Sequence, residues 1–225
     1  TKTALKLADY VVTEAGFGAD LGAEKFLHIK CRFGGLKPDA VVLVSSIRAL
    51  KYNGGVSKEN LQVENLQALE QGLPNLLKHI ENINIKFGLP TVVAINRFPT
   101  DTESELNLVF DECKNIGVPV AISEVYGKGS EGGISLAKSV LDIIDNSEKY
   151  KNEFKFVYPL DIGIKEKINL IAREIYGANG VNFTKEAEKE IKNLEALGFT
   201  DTPICVAKTQ YSLSDDPKLL GRPSN

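Results

Sequence analysis

The chain has 225 residues, 43% hydrophobic and 25% charged, an ordinary globular balance for one large domain or two small ones. Its 27 Lys and Arg against 30 Asp and Glu give a net charge of −3, with no basic stripe to attract nucleic acid. No apolar run approaches the ~20 residues needed to span a bilayer, and the N-terminus carries no signal-peptide pattern. Cys31, Cys113 and Cys205 form no C-x-x-C pair and read as reduced core thiols of a cytoplasmic protein. The chain contains no methionine, opens on residues that already read as helix and closes on a turn, Gly221-Arg-Pro-Ser-Asn225. That is the pattern expected of a piece of a longer protein. A processed or trimmed complete domain is the alternative.

Helical and strand signals alternate along the chain, which predicts an α/β fold with a mostly parallel sheet flanked by helices. Ala4 to Ala8 reads as helix and Tyr10 to Thr13 as a strand. Leu21 to Phe33 is a helix, with Phe26, Ile29 and Phe33 on one face. Ala40-Val-Val-Leu-Val44 is a near-continuous apolar run, typical of a buried parallel strand. Ser57 to about Gly88 carries one or two helices, broken near Gly72-Leu-Pro74. Thr91 to Ile95 is the next buried strand, and Thr102 with Glu105 forms a capping box for a helix to about Ile116. Val118 to Val125 reads as a strand, followed by a glycine-rich loop and a helix over Ile134 to Ile144. Asn146 to Asn152 is a polar linker. These signals divide the chain into 1–147, the main domain, and 148–225, a smaller added α/β domain. In the latter, Phe154 to Tyr158 and Pro203 to Ala207 read as strands. Helices over Lys165 to Tyr176 and Lys185 to Leu197 end at Gly177 and Gly198, the second capped by Thr184.

Three loops follow predicted strands: Glu14-Ala-Gly-Phe-Gly-Ala-Asp-Leu-Gly22, Asn96-Arg-Phe-Pro-Thr-Asp-Thr102 and Lys208-Thr-Gln-Tyr-Ser-Leu-Ser-Asp-Asp-Pro217. A strand-end loop with free backbone N–H groups beside a helix N-terminus is where small anions bind. The spacing of Gly16, Gly18 and Gly22 is G-x-G-x-x-x-G, not the dinucleotide fingerprint, and the same glycines also suit a tight turn with close packing. Phe17 between two glycines is held out on a tip, placed for contact with a ligand. Phe98-Pro99 offers a platform for a flat ring, or Pro99 and Thr102 only set up the next helix. Tyr126 would supply a second aromatic wall from the neighbouring strand. Lys25 and Arg97 are the charged candidates for anion oxygens, or they face water. His28 and His79 lie on separate helices without a ligand-spaced partner, so no metal site is expected. No G-x-x-x-x-G-K-[ST] occurs, so nothing here by itself would cradle a triphosphate.

Four motifs in order, Thr13-Glu-Ala-Gly-Phe-Gly-Ala-Asp-Leu-Gly-Ala-Glu-Lys-Phe26, Arg48-Ala-Leu-Lys-Tyr-Asn-Gly-Gly55, Asn96-Arg-Phe-Pro-Thr-Asp-Thr102 and Tyr211-Ser-Leu-Ser-Asp-Asp-Pro217, resemble the formate–tetrahydrofolate ligases. The likeness runs over essentially the whole chain and covers the central part of that family's longer chain, whose P-loop lies upstream. It implies a P-loop NTPase-related fold, usually assembled as a homotetramer. It implies joining of formate to tetrahydrofolate at the expense of ATP (with Mg), through formyl phosphate, with a monovalent cation as activator. By position, Phe98 would stack on the pterin with Pro99 beside it, and Ile122 would line the pocket. Tyr126 stands where family members carry tryptophan, on the opposite ring face. Gly16, Phe17 and Gly18 would border the formyl-transfer centre. The region of Ser212, Ser214, Asp215, Leu219 and Gly221 would approach the nucleotide. The isolated chain is then expected to be inactive. Two other readings stay open: a non-catalytic folate- or nucleotide-binding module, and a dinucleotide oxidoreductase, against which the glycine spacing weighs.

Overall fold

Three parallel strands form the sheet: β1 (Val41–Ser45), β2 (Thr91–Asn96) and β3 (Val120–Ser123), in the order β1-β2-β3. This is a computed structural model, and it describes residues 1–223. The register pairs Val41 with Thr91 and Ser45 with Ile95, then Val93 with Val120 and Asn96 with Ser123. The central strand β2 is buried from Thr91 to Ile95, because helices cover both of its faces. Edge strand β1 alternates instead, with Leu43 and Ser45 buried and Val42 and Val44 exposed. The observed class is therefore α/β with a parallel sheet and flanking helices.

Parallel strands need long crossovers. Helices α1 (Ile47–Asn53) and α2 (Leu66–Glu81) lie between β1 and β2, α3 (Glu103–Asn115) lies between β2 and β3, and α4 (Ile134–Asp145) follows β3. Ser46 caps α1 by accepting from Ala49 N, and Asn65 caps α2 by accepting from Ala68 N. The capping box forms as expected, with Thr102 and Glu105 bonding each other's backbone N–H groups. Leu106, Val109 and Cys113 then turn one face of α3 into the core.

Several expectations from sequence are corrected. Helix α2 is not broken at Gly72-Leu-Pro74. A side chain at Gly72 would place its Cβ 1.9 Å from the Leu50 carbonyl oxygen, so glycine lets α2 lie directly on α1. Pro74 deprives only the Glu70 carbonyl of its helical partner, and Glu70 is exposed to water there. The strands expected at Tyr10–Thr13, Phe154–Tyr158 and Pro203–Ala207 do not form. Tyr10 and Val12 stay exposed. Glu153 N and Lys155 N bond only to the Gly88 and Phe87 carbonyls. The buried Tyr158 replaces a backbone ladder with its side chain: Ile204 N donates to the hydroxyl at 2.8 Å. The strand expected over Val118 to Val125 is confined to β3. Cys205 is exposed, while Cys31 and Cys113 are buried and burial pushes both thiols up to about 11. All three are free thiols. The turn expected at 221–225 lies partly outside the described residues.

The described chain clusters into two compact units, one of Thr1–Lys37 with Phe156–Gln210, the other of Pro38–Lys155 with the segment from Tyr211. The second holds the sheet. The first is built from helices and extended segments. A helical run of wide turns, Ala19–Ala23 and Phe26–Cys31, ends in the α turn Arg32–Gly34. Helix α5 (Ile164–Ile171) continues through a wide turn, Ala172–Tyr176, and α6 (Lys185–Ala196) is capped by Thr184. His28 is fully buried, 4.5 Å from the Tyr158 ring, and burial with the Arg32 charge pushes it down to about 3, so it is neutral. No helix among the described residues is long and apolar enough to cross a membrane.

Gly72→Ala should destabilise the sheet-bearing unit by about 1–3 kcal/mol, because the intruding methyl meets backbone rather than a mobile side chain. Urea denaturation reads this, and unchanged stability would show that the helices are not in backbone contact.

Candidate functional site

Ligands of parallel α/β sheets gather at the carboxyl ends of the strands. Here those ends are Ser45, Asn96 and Ser123. The chain leaves β2 in a tight turn over Phe98 to Asp101. Asp101 accepts from Phe98 N through Oδ2 at 2.8 Å, and Asp101 N donates back to the Phe98 carbonyl at 3.0 Å. Burial, with Glu105 nearby, raises the Asp101 carboxyl above the usual range against the pull of that hydrogen bond, Arg48 and Lys51.

The turn is fixed from below by Glu105. This residue and Lys51 are fully buried, and the Lys51 ammonium lies 2.8 Å from Glu105 Oε1. Asn65 N donates to the same oxygen and Thr102 N to the other, while Lys51 also donates to the Val63 carbonyl. Burial works against the charged carboxylate, but these donors outweigh it and hold Glu105 below the usual range. Helix α1 thereby grips the turn a second time: the Arg48 guanidinium lies 4.4 Å from the Phe98 ring centroid and donates to Thr100 Oγ1 at 3.1 Å.

Phe98 is half-buried and Pro99 exposed. Ile122, paired with Ile95, is half-buried in β3. Tyr126 sits on the helical turn Val125–Lys128 and is 94% exposed. Because Asn96 and Ser123 are register partners, Phe98 and Tyr126 leave the sheet from adjacent strand ends. Arg97 donates to Glu103 at 2.6 Å and lies 3.7 Å from Glu124, so two carboxylates answer its charge.

The loop after Tyr211 docks on the C-terminal end of α1 and the middle of α2. Gly221 N donates to Asn53 Oδ1 at 3.1 Å, and Asn75 donates to the Gly221 carbonyl at 3.0 Å. Ser212 is buried; its hydroxyl donates to the Leu219 carbonyl and accepts from Ser214 N. Ser214 bonds Asp215 and accepts from Asp216 N. Both serine hydroxyls thus build the loop, leaving the Asp215 and Leu219 side chains exposed.

In the other unit, Phe17 is 84% exposed at φ 65°, the one non-glycine in the left-handed region among the described residues. The turn is pressed against its own helix: a Cβ on Gly22 would lie 1.7 Å from the Gly16 carbonyl oxygen. Asp20, on the first helical turn, pairs with Lys208 at 2.5 Å. The Tyr176 hydroxyl lies 2.6 Å from the Asp20 carbonyl oxygen and 2.8 Å from Glu24 Oε2. Tyr176 has one proton, and the carbonyl can only accept it. Both contacts are satisfied when Glu24 is a neutral acid donating to Tyr176. Burial, with Asp20 adding, raises the Glu24 carboxyl to about 7 against the Tyr176 bond and Lys208. Lys25 is exposed.

The sequence model of formate–tetrahydrofolate ligases matches residues 1–225, the whole chain. The chain belongs to the formate–tetrahydrofolate ligase family. Membership places it among ligases of one-carbon metabolism and leaves the dinucleotide reading without support. Within this family member the sheet edge brings Arg48, Phe98, Pro99 and Asp101 to one turn. Arg48 and Asp101 were not singled out from sequence, although Asp three residues after Phe98 is the spacing of a turn closed by a side-chain carboxylate. Glu24 and Tyr176 were missed because only the fold joins them.

Lys51→Met should destabilise the sheet-bearing unit by about 3–5 kcal/mol, because Glu105 keeps a buried charge without its counter-ion; denaturant melts read the loss, and a neutral effect would refute it. Glu24 stabilises its unit fully below its usual value of 4.5, and that contribution is lost as pH rises through about 7. Wild type should therefore lose on the order of 3 kcal/mol across that window, and Glu24→Gln should flatten the slope. Identical slopes in denaturation series would contradict the neutral-acid assignment.

Proposed function

We propose that the carboxyl-end edge of the sheet binds the pterin ring of tetrahydrofolate in an ATP-dependent ligase. The observation that supports this reading most is the Phe98 ring, set on a turn fixed by Asp101 and Glu105, with the exposed Tyr126 on the turn that leaves the adjacent strand end. A flat heterocycle between two aromatic rings is held by stacking and burial. Phe98 and Pro99 form one wall, Tyr126 the other, and Ile122 lines the space between. Tyrosine is a smaller wall than tryptophan, so ring burial is reduced.

In the reaction we propose, a formate oxygen attacks the γ-phosphorus of ATP, and the bond to the departing ADP breaks. Formyl phosphate results. Tetrahydrofolate N10 then attacks the formyl carbon, phosphate leaves with the bonding pair, and N10 loses its proton, giving 10-formyltetrahydrofolate. Activation is needed because free formate would have to expel oxide. The proposal gives this chain the ring-binding wall and assigns the triphosphate to a phosphate-binding loop, a pattern this sequence does not contain. Asp215 and Leu219 are the nucleotide-side contacts left available by their loop, and Phe17, exposed and strained, is assigned a substrate contact. Arg97, already paired, is a weaker anion ligand than Lys25. Assembly as a homotetramer belongs to the same proposal.

Calorimetric titration with tetrahydrofolate tests the reading. Wild type should bind, and Phe98→Ala should bind more weakly by about 0.5–1.5 kcal/mol beyond the lost area. Equal affinities, or no binding by wild type, would overturn it.

A further inference from the structure

Arg48 has no part in the reading above, yet its side chain lies over the Phe98 ring. Its guanidinium is 4.4 Å from the ring centroid, and its Nη2 is tied to Thr100 Oγ1 at 3.1 Å. Asp101, which closes the Phe98 turn, contributes a carboxylate charge beside it. The Nε of Arg48 and the Oδ1 of Asp101 are both buried, one a donor and one an acceptor. Helix α1 cannot drift away from this contact, because the buried Lys51 one turn later is locked to Glu105 at the start of α3. A planar cation laid on an aromatic face covers that face. We infer that Arg48 is a positioning residue for the ring platform: it holds Phe98 from one face, so that the opposite face is the one presented to the folate ring. The inference rests on the folate reading of this edge. It explains why the residue is arginine. A lysine would keep the charge but lose the flat stack and the second arm that reaches Thr100.

The test is a binding cycle on the full chain, with tetrahydrofolate as the ligand. The proteins are wild type, Arg48→Met, Phe98→Ala and the double variant, with Arg48→Lys and Thr100→Val as milder cuts. Arg48→Met should weaken binding by roughly 3- to 30-fold, Arg48→Lys and Thr100→Val by less. With Phe98 already removed, Arg48→Met should change nothing further. Thermal melts identify a variant that fails to fold, in which case Arg48→Lys and Thr100→Val carry the cycle. Unchanged or tighter binding by Arg48→Met, beside a clear loss in Phe98→Ala, would overturn the inference and leave the folate reading standing. So would an equal loss from Arg48→Met with and without Phe98. No effect of Phe98→Ala would remove the folate reading and the inference with it.

Discussion

The buried Lys51–Glu105 pair is the constraint on which the sheet edge depends. A carboxylate with no exposed surface requires several donors, and Glu105 finds them on three different segments: Lys51 on α1, the backbone before α2, and the backbone at the start of α3. Its position is therefore specified by direction as well as by packing. An apolar side chain of the same size would fill the space without fixing the angle between these elements. Because Glu105 also closes the capping box with Thr102, the turn that carries Phe98 inherits that precision. The ring platform is built outward from a charge pair that no solvent reaches.

The other unit handles a similar problem in a different way. Phe17 occupies a backbone region that costs a non-glycine residue energy, and such conformations persist only where neighbours over-determine them. Here the neighbours are the Gly22 contact, the Asp20–Lys208 pair and the Tyr176 hydroxyl, which joins the helical run to the turn that follows α5. Burial raises the Glu24 carboxyl to about 7, and when it is protonated it donates to Tyr176, whose own proton goes to the Asp20 carbonyl. The unit that displays the exposed phenylalanine is thus coupled to pH near neutrality, whereas the Glu105 centre holds its charge well below that range.

Much of this was legible in the sequence. The apolar runs of β1 and β2 mark both strands, although only β2 is buried along its length and β1 exposes Val42 and Val44, and Thr102 with Glu105 is a local signal complete within four residues. The family motifs sit on the turns that the fold uses, including the Phe98 turn and the Asp20–Glu24 helix start. What was not legible depends on partners distant in the chain. The residues Tyr10 to Thr13 satisfy strand propensity, but among the described residues no strand pairs with them. Gly72 and Pro74 read as a break because their propensities are local, whereas the contact with Leu50 that demands glycine is not. The roles of Arg48 and Tyr176 are tertiary in the same sense. Each acquires meaning only when the fold sets it beside Phe98 or Glu24.

The central claim is that the sheet's carboxyl-end edge is the folate platform. The most direct measurement is a nitrogen–proton NMR titration of the isotopically labelled chain with tetrahydrofolate, which maps contact residue by residue. The account predicts saturable shift changes concentrated at 97–101 and 122–128. Saturable changes confined to other segments, or none at any ligand concentration, would contradict it.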